Sequence, residues 1–237
     1  MPTYTRKHQL SGSFIFHLIN RGNKKEAVFN EAREYLYFIK LLKEYRERFN
    51  LKIYHWVLMP NHYHLLLEMD EPERISSCMA GINRAYTCYY HKNYLTAGFL
   101  WQGRFKLQPV QQGKYLFACG RYIERNPVRA NMVFHAQDYS FSSARFYCAG
   151  EQDGITTESP IFGEFGQDVS LRRLAYRKFL SNFDNNEEEM FRTLDVPLGN
   201  NEFISKITKA NGRLFPKRRG RPRERIVAQP VDCDKIT

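Results

Sequence analysis

Lys52-Ile53-Tyr54-His55-Trp56-Val57-Leu58-Met59-Pro60-Asn61-His62-Tyr63-His64-Leu65-Leu66-Leu67-Glu68 contains two β-prone runs, Lys52–Leu58 and His62–Glu68, with only Met59-Pro60-Asn61 between them. So short a reversal suits a β-hairpin and sets two antiparallel strands side by side. Working outward, Glu31 to Phe49 carries Tyr35, Phe38, Ile39, Leu42 and Tyr45 at three- and four-residue steps, an amphipathic helix that Asn50 ends. Before it, Phe14–Asn20 is β-prone and Arg21-Gly22-Asn23 supplies turn chemistry. After the hairpin, Glu73 to about Tyr90 has Met79, Ile82, Tyr86 and Tyr89 at helical spacing. An aromatic, Gly-containing loop (Phe99–Arg104), a short strand (Phe105–Val110) and a third helix (Lys114–Asn126, stopped by Pro127) follow. The order β-α-β-β-α-β-α predicts an α+β fold of the ferredoxin-like, split β-α-β kind: an antiparallel sheet with helices on one face.

The remainder is less patterned. Leu171, Leu174, Ala175, Lys178 and Phe179 predict one helix and Asn201–Ala210 a second, separated by the acidic run Asn185–Glu189. After Gly212 the chain is basic and Pro-rich. The predicted organisation is a catalytic domain over 1–150, a small helical extension over 151–211 and a basic, disordered tail over 212–237.

The 237 residues carry 36 Lys plus Arg against 25 Asp plus Glu, a net charge of +11, with 43% hydrophobic residues. That is enough apolar content for a real core, and the charge points to a polyanionic partner such as nucleic acid. Eight basic and three acidic residues stand in Arg213–Thr237, so the rest is basic in its own right. No apolar run approaches the roughly 18–20 residues of a spanning helix, and no signal-peptide pattern opens the chain. Five widely spaced cysteines without a CxxC pair give little support to a disulfide framework or a structural zinc site. The expected setting is a reducing cytoplasm, on the nucleoid in a prokaryote, with no membrane partner.

Residues two apart on a strand share a face, so His62 and His64 project side by side while Tyr63 turns to the core. Two neutral imidazoles so placed can chelate one divalent ion; the plainer alternative is a hydrogen-bonded or surface pair. On the third helix Tyr122 and Asn126 are i, i+4 neighbours. A phenol can attack a phosphodiester whose charge a metal withdraws, and the Asn126 amide can add an oxygen ligand. The alternative is a core tyrosine and a helix-capping asparagine. Tyr115, one heptad earlier, is the rival nucleophile, although its i+4 neighbour is Cys119 rather than a polar residue.

Asn20-Arg21-Gly22-Asn23, Met59-Pro60-Asn61-His62-Tyr63-His64, Leu100-Trp101-Gln102-Gly103-Arg104-Phe105-Lys106 and Arg121-Tyr122-Ile123-Glu124-Arg125-Asn126-Pro127-Val128-Arg129-Ala130 occur in that order. Together they resemble the single-tyrosine HUH transposase family, and within it the REP-associated tyrosine transposase branch, over about Ser11–Gly150. The resemblance implies that His62 and His64 hold Mg²⁺ or Mn²⁺ and that Tyr122 cuts single-stranded DNA to a 5′-phosphotyrosine and a free 3′-OH. Asn126 stands where related enzymes place a glutamine as third ligand, one methylene longer. The implied substrate is a hairpin from repeated extragenic palindromes. Relatives occur as monomers and as dimers, so a homodimer is admitted.

Arg84, Arg104, Lys106, Arg121 and Arg125 are candidate phosphate contacts, and Trp101 and Phe99 candidate base-stacking residues. In the tail, Lys217-Arg218-Arg219-Gly220-Arg221-Pro222-Arg223 resembles an AT-hook, with Arg219 and Arg221 as groove-binding arginines; a generic polybasic segment is the alternative. Two other functions compete: a metal-dependent hydrolytic nuclease, which needs no tyrosine, and a non-catalytic DNA-binding protein, which places no demand on the histidines.

Overall fold

The structure, a computed structural model, describes residues 13–182, Phe191 and 196–211. The acidic run Asn185–Glu189 and the basic tail with Arg219 and Arg221 lie outside the described residues. Strands β1 (Ile15–Arg21), β2 (Lys52–Met59), β3 (His62–Glu68) and β4 (Lys106–Pro109) form one antiparallel sheet in the order β2-β3-β1-β4. Helix α1 (Ala32–Phe49) links β1 to β2, and α2 (Ile75–Tyr94) links β3 to β4. Each crossover therefore skips over one strand, which is the ferredoxin-like split β-α-β plan the sequence predicts.

Local chemistry fixes the elements. The Glu34 carboxylate accepts the backbone N–H groups of Asn30 and Glu31, each at 2.7 Å, and thereby caps α1. Asn50 ends it in the left-handed conformation, φ 48°. The hairpin pairs Met59 with His62, so β2 runs one residue longer than expected and the turn is only Pro60-Asn61. The Pro60 carbonyl accepts from Val28 and Phe29, and the Asn61 carbonyl from Gly22, which ties the loop after β1 to the hairpin tip.

Strand alternation then divides the core in two. Phe16, Leu18, Trp56, Leu58, Tyr63, Leu65 and Leu67 meet Phe38, Leu42, Met79, Ile82 and Tyr86 of α1 and α2. On the other face Ile15, Tyr54, Val57 and Leu66 meet Leu116, Cys119 and Ile123 of α3 (Lys114–Glu124). The expectation of helices on one face thus holds for α1 and α2 but not for α3. The reason is that both faces of the sheet centre are apolar and each must be covered. Gly120 lets α3 come close, since a Cβ there would lie 2.7 Å from the His55 ring.

Pro127 does not simply stop α3. The helix ends at Glu124, and the short helix α4 (Asn126–Arg129) begins with Pro127 in its first turn, where a missing N–H costs nothing. Downstream, α5 (Ala144–Ala149) and α6 (Val169–Ser181) share a third cluster that joins residues on both sides of Gly150. Helix α6 lies where the spacing predicts, but it buries Tyr176 and Leu180, while Leu171 and Leu174 are exposed. Leu198, just before α7 (Asn201–Asn211), pairs with the end of β4: its N–H donates to Pro109 and its carbonyl accepts from Gln111, both at 2.8 Å.

Glu124 fastens α3 from below. Its fully buried carboxylate accepts from the Ser143 hydroxyl at 2.6 Å and the Tyr176 hydroxyl at 2.8 Å, and pairs with His55 Nδ1 at 2.8 Å. Three elements, β2, α5's leading residue and α6, are thereby held to the tyrosine-bearing helix. Removing the carboxylate strands three buried polar partners, so Glu124→Ala is expected to lower the unfolding free energy by about 3–5 kcal/mol. Urea unfolding checks this; a variant within about 0.5 kcal/mol of the parent contradicts it.

Candidate active site

The face of β3 turned towards α3 carries His62 and His64, and strand pairing decides their neighbours. Arg21 lies opposite His62 and Ile19 opposite His64 on β1. Tyr63 points to the other core, fully buried, and its hydroxyl donates to Asn83 Oδ1 at 2.9 Å. The two imidazole centroids are 5.1 Å apart. Both rings line a cavity of about 480 Å³ that Tyr122, Asn126 and Phe191 also line, together with Arg21, Arg104, Lys106 and Arg129. Among the described residues the cavity is lined by four cationic side chains and no carboxylate, a wall suited to phosphate.

Tyr122 stands edge-on to His64, with centroids 5.8 Å apart, and to His17, 6.0 Å. Its ring stacks on Phe191 at 4.7 Å, and the Arg129 guanidinium sits 4.9 Å from its centroid. Tyr115 packs at the edge of the α3 core with Lys114 over its ring and does not line the cavity. Asn126 donates both amide hydrogens to carbonyls, Tyr122 at 2.9 Å and Ile123 at 3.1 Å. It therefore caps α3 and leaves its oxygen towards His62, whose protonated form it favours.

Burial controls the charge of the histidines. It pushes His62 down to about 4, helped by Arg21 and Arg129 and opposed by Asn126. It pushes His17 down to about 4, opposed by Gln108, and holds His64 well below the ordinary histidine range with His17, His62 and both arginines adding to the effect. All three rings are neutral at pH 7, so each has one lone pair to offer.

The donor set suits a divalent cation. His62 Nδ1 lies 2.6 Å from Asn61 Oδ1, and the Asn61 amide donates to the Lys25 carbonyl at 3.0 Å, which fixes that oxygen towards the ring. The His62 proton is then on Nδ1, leaving the Nε2 lone pair. That nitrogen and the Asn126 oxygen are both acceptors, an arrangement a cation between them would relieve. Among the described residues no three His, Cys, Asp or Glu side chains converge on a metal position, and the Asn126 amide is an oxygen donor in the cavity beside the two rings. Nitrogen and oxygen donors of this kind suit Mg²⁺ and Mn²⁺ less selectively than an all-carboxylate site but are compatible with Mn²⁺ in particular.

The other expected contacts separate into two groups. Arg104 and Lys106 are exposed at the cavity. Arg121 and Arg125 instead meet the end of α6: Arg121 donates to the Phe179 and Asn182 carbonyls, at 3.3 and 2.6 Å, and Arg125 to the Leu180 carbonyl. Trp101 is half-buried against the α1–α2 core, edge-on to Tyr63, and donates to the Asn83 carbonyl, so it braces its loop; Phe99 is exposed. Arg84 is exposed on α2, in the helix layer opposite the histidines. His17, Gln108, Arg21, Arg129 and Phe191 were not singled out by sequence as site residues. For His17 a signal existed, a polar residue at the middle of a buried strand; for Phe191 there was none.

A split β-α-β sheet carries an imidazole pair on β3, and a tyrosine lines the same cationic cavity as that pair. Residues 11–126 match the family model described as IS200-like transposase. A solved structure of a REP-associated tyrosine transposase bound to a REP hairpin is similar at 21% identity with a TM-score of 0.49, over 62% of this chain and 90% of that one. No curated protein matches. Among the described residues no helix is long and apolar enough to cross a membrane.

The neutral histidines make stability depend on pH. Their folded-state pKa values lie below the unfolded value, so unfolding takes up protons and the stability present above about pH 6.5 is lost as pH falls towards and through about 4. The urea midpoint of the metal-free protein is expected to fall over that window, and less steeply in His17→Gln. Equal slopes in the two proteins contradict this reading.

Proposed function

We propose that this transposase domain cuts and rejoins single-stranded DNA with Tyr122 as nucleophile and a divalent cation, Mg²⁺ or Mn²⁺, held by His62, His64 and Asn126. The observation that carries the proposal is the single cavity shared by Tyr122 and both histidines, with Tyr115 outside it. A bound cation would supply Lewis acidity at the scissile phosphate. The chain's own residues do the rest. Arg21, Arg104, Lys106 and Arg129 hold the strand by its charge, and Phe191 and α3 fix the phenol's place. The phenolic oxygen bonds to phosphorus as the P–O3′ bond breaks, leaving a 3′-hydroxyl and a 5′-phosphotyrosine. One phosphodiester replaces another, so rejoining needs no external energy source.

Tyr122 and both histidines of one chain line one cavity, which supports a reaction carried within a single chain, with a homodimer as the alternative. The motif resemblance extends the proposed substrate to DNA hairpins formed by repeated palindromes. The Lys217–Arg223 segment, through Arg219 and Arg221, is proposed as a further DNA contact.

Incubation with Mn²⁺ and labelled single-stranded hairpins, followed by denaturing electrophoresis, tests the proposal. A protein-linked DNA band is expected, retained in Tyr115→Phe, abolished in Tyr122→Phe and reduced about 10²-fold or more in His64→Ala. Metal-dependent cutting that survives Tyr122→Phe without an adduct would show a hydrolytic nuclease instead. Binding without cleavage across the panel would show a DNA-binding protein.

A further inference from the structure

His64 does not face its surroundings alone. Its Nδ1 lies 2.8 Å from His17 Nε2, and His17 Nδ1 lies 3.4 Å from Gln108 Oε1. Strand pairing sets Gln108 on β4 opposite His17 on β1. The Gln108 amide donates in turn to the Val196 carbonyl at 2.7 Å. His17, Gln108 and His64 are 0%, 1% and 3% exposed, so water offers little competing partnership.

These contacts have a direction. The donation to Val196 identifies which end of the Gln108 amide is NH₂ and leaves its oxygen facing His17. An oxygen can only accept, so His17 carries its proton on Nδ1, and its Nε2 becomes an acceptor. The His64 proton then belongs on Nδ1, which leaves the His64 Nε2 lone pair as the ring's open donor. The reverse arrangement would set two lone pairs against each other at Gln108.

We propose that Gln108 and His17 are positioning residues that fix the tautomer and orientation of His64 for metal binding, anchored by the main chain of the C-terminal extension at Val196. The proposal deepens the reading of His64 as a metal ligand and rests on it. It also gives the extension a part in the site. Leu198, two residues on, is hydrogen-bonded to the end of β4, so the Val196 carbonyl is held beside Gln108 by the sheet itself. His62 is oriented by the shorter version of the same device, through Asn61 and the Lys25 carbonyl. An outer partner of this kind ordinarily sets which ring nitrogen is available to a metal.

The test uses the full chain without DNA. Long-range ¹H–¹⁵N correlation of the metal-free protein reports the proton position on each histidine, and Mn²⁺ affinity is read by electron paramagnetic resonance. The parent is expected to carry the proton on Nδ1 of both His17 and His64. Gln108→Leu, which removes the acceptor at similar size, is expected to move both rings towards the Nε2–H form and to weaken Mn²⁺ binding by about ten- to a hundredfold. Gln108→Glu keeps an acceptor for His17 and is expected to retain the parent tautomers. A parent protein with the His64 proton on Nε2 overturns the proposal, and so does a folded Gln108→Leu with parental tautomers and affinity. Should Gln108→Leu fail to fold, the parent spectrum alone decides. Failure of the parent to bind Mn²⁺ would instead strike the ligand assignment beneath it.

Discussion

The position of β3 between β2 and β1 is the constraint on which the site depends. Both of its edges are paired, so its register is held from two sides, by Met59 opposite His62 on one and Arg21 opposite the same residue on the other. A slip of one residue would exchange Tyr63, Leu65 and Leu67 for two histidines in the α1–α2 core and turn three large apolar side chains towards α3. That core contains Phe38, Met79, Ile82 and Tyr86 at essentially no exposure, and burial of a single large apolar side chain is worth about 1.5–3 kcal/mol. The imidazole pair is thus placed by the packing of side chains on the opposite face of the sheet.

The tyrosine is placed by different means. Helix α3 meets the sheet through Leu116, Cys119 and Ile123, with Gly120 removing the Cβ that would hold it away from His55. One turn carries both devices: Tyr122 faces the cavity, and Glu124 is sunk beneath it among His55, Ser143 and Tyr176. Buried charge of this kind is weak evidence for stability gained over an apolar alternative, but its geometry is demanding. Helix α6 closes the arrangement through Tyr176 and through the carbonyls that accept from Arg121 and Arg125. The segment around Val196 and Leu198 then reaches the far end of β4 and Gln108.

Much of this was legible in sequence because it is local or periodic. The strand and helix order, the hairpin, the His62/His64 pair on one face and Tyr63 on the other all follow from spacing of two and of three to four residues. What the sequence did not disclose depends on contacts between distant segments. Arg121 and Arg125 read as phosphate contacts because nothing in their vicinity announces the α6 carbonyls about 55–61 residues away. Trp101 sits in a loop with exposed Phe99, yet only the packing against Tyr63 shows that its ring is committed. His17 became a neighbour of His64 through the β1–β3 register, which a single sequence does not state. Helix α3 moved to the second face because topology gives the order of elements but not the side a terminal helix takes.

Trypsin cuts after Arg121 and after Arg125, so the peptide Tyr122-Ile123-Glu124-Arg125 reports on the proposed nucleophile in isolation. After reaction with single-stranded DNA and Mn²⁺, then nuclease and trypsin digestion, mass spectrometry should find this peptide carrying a nucleotide through a phosphodiester to the phenol. A nucleotide on the peptide that contains Tyr115, or cleaved DNA with every tyrosine peptide unmodified, would contradict the assignment of Tyr122 as the residue that takes hold of the strand.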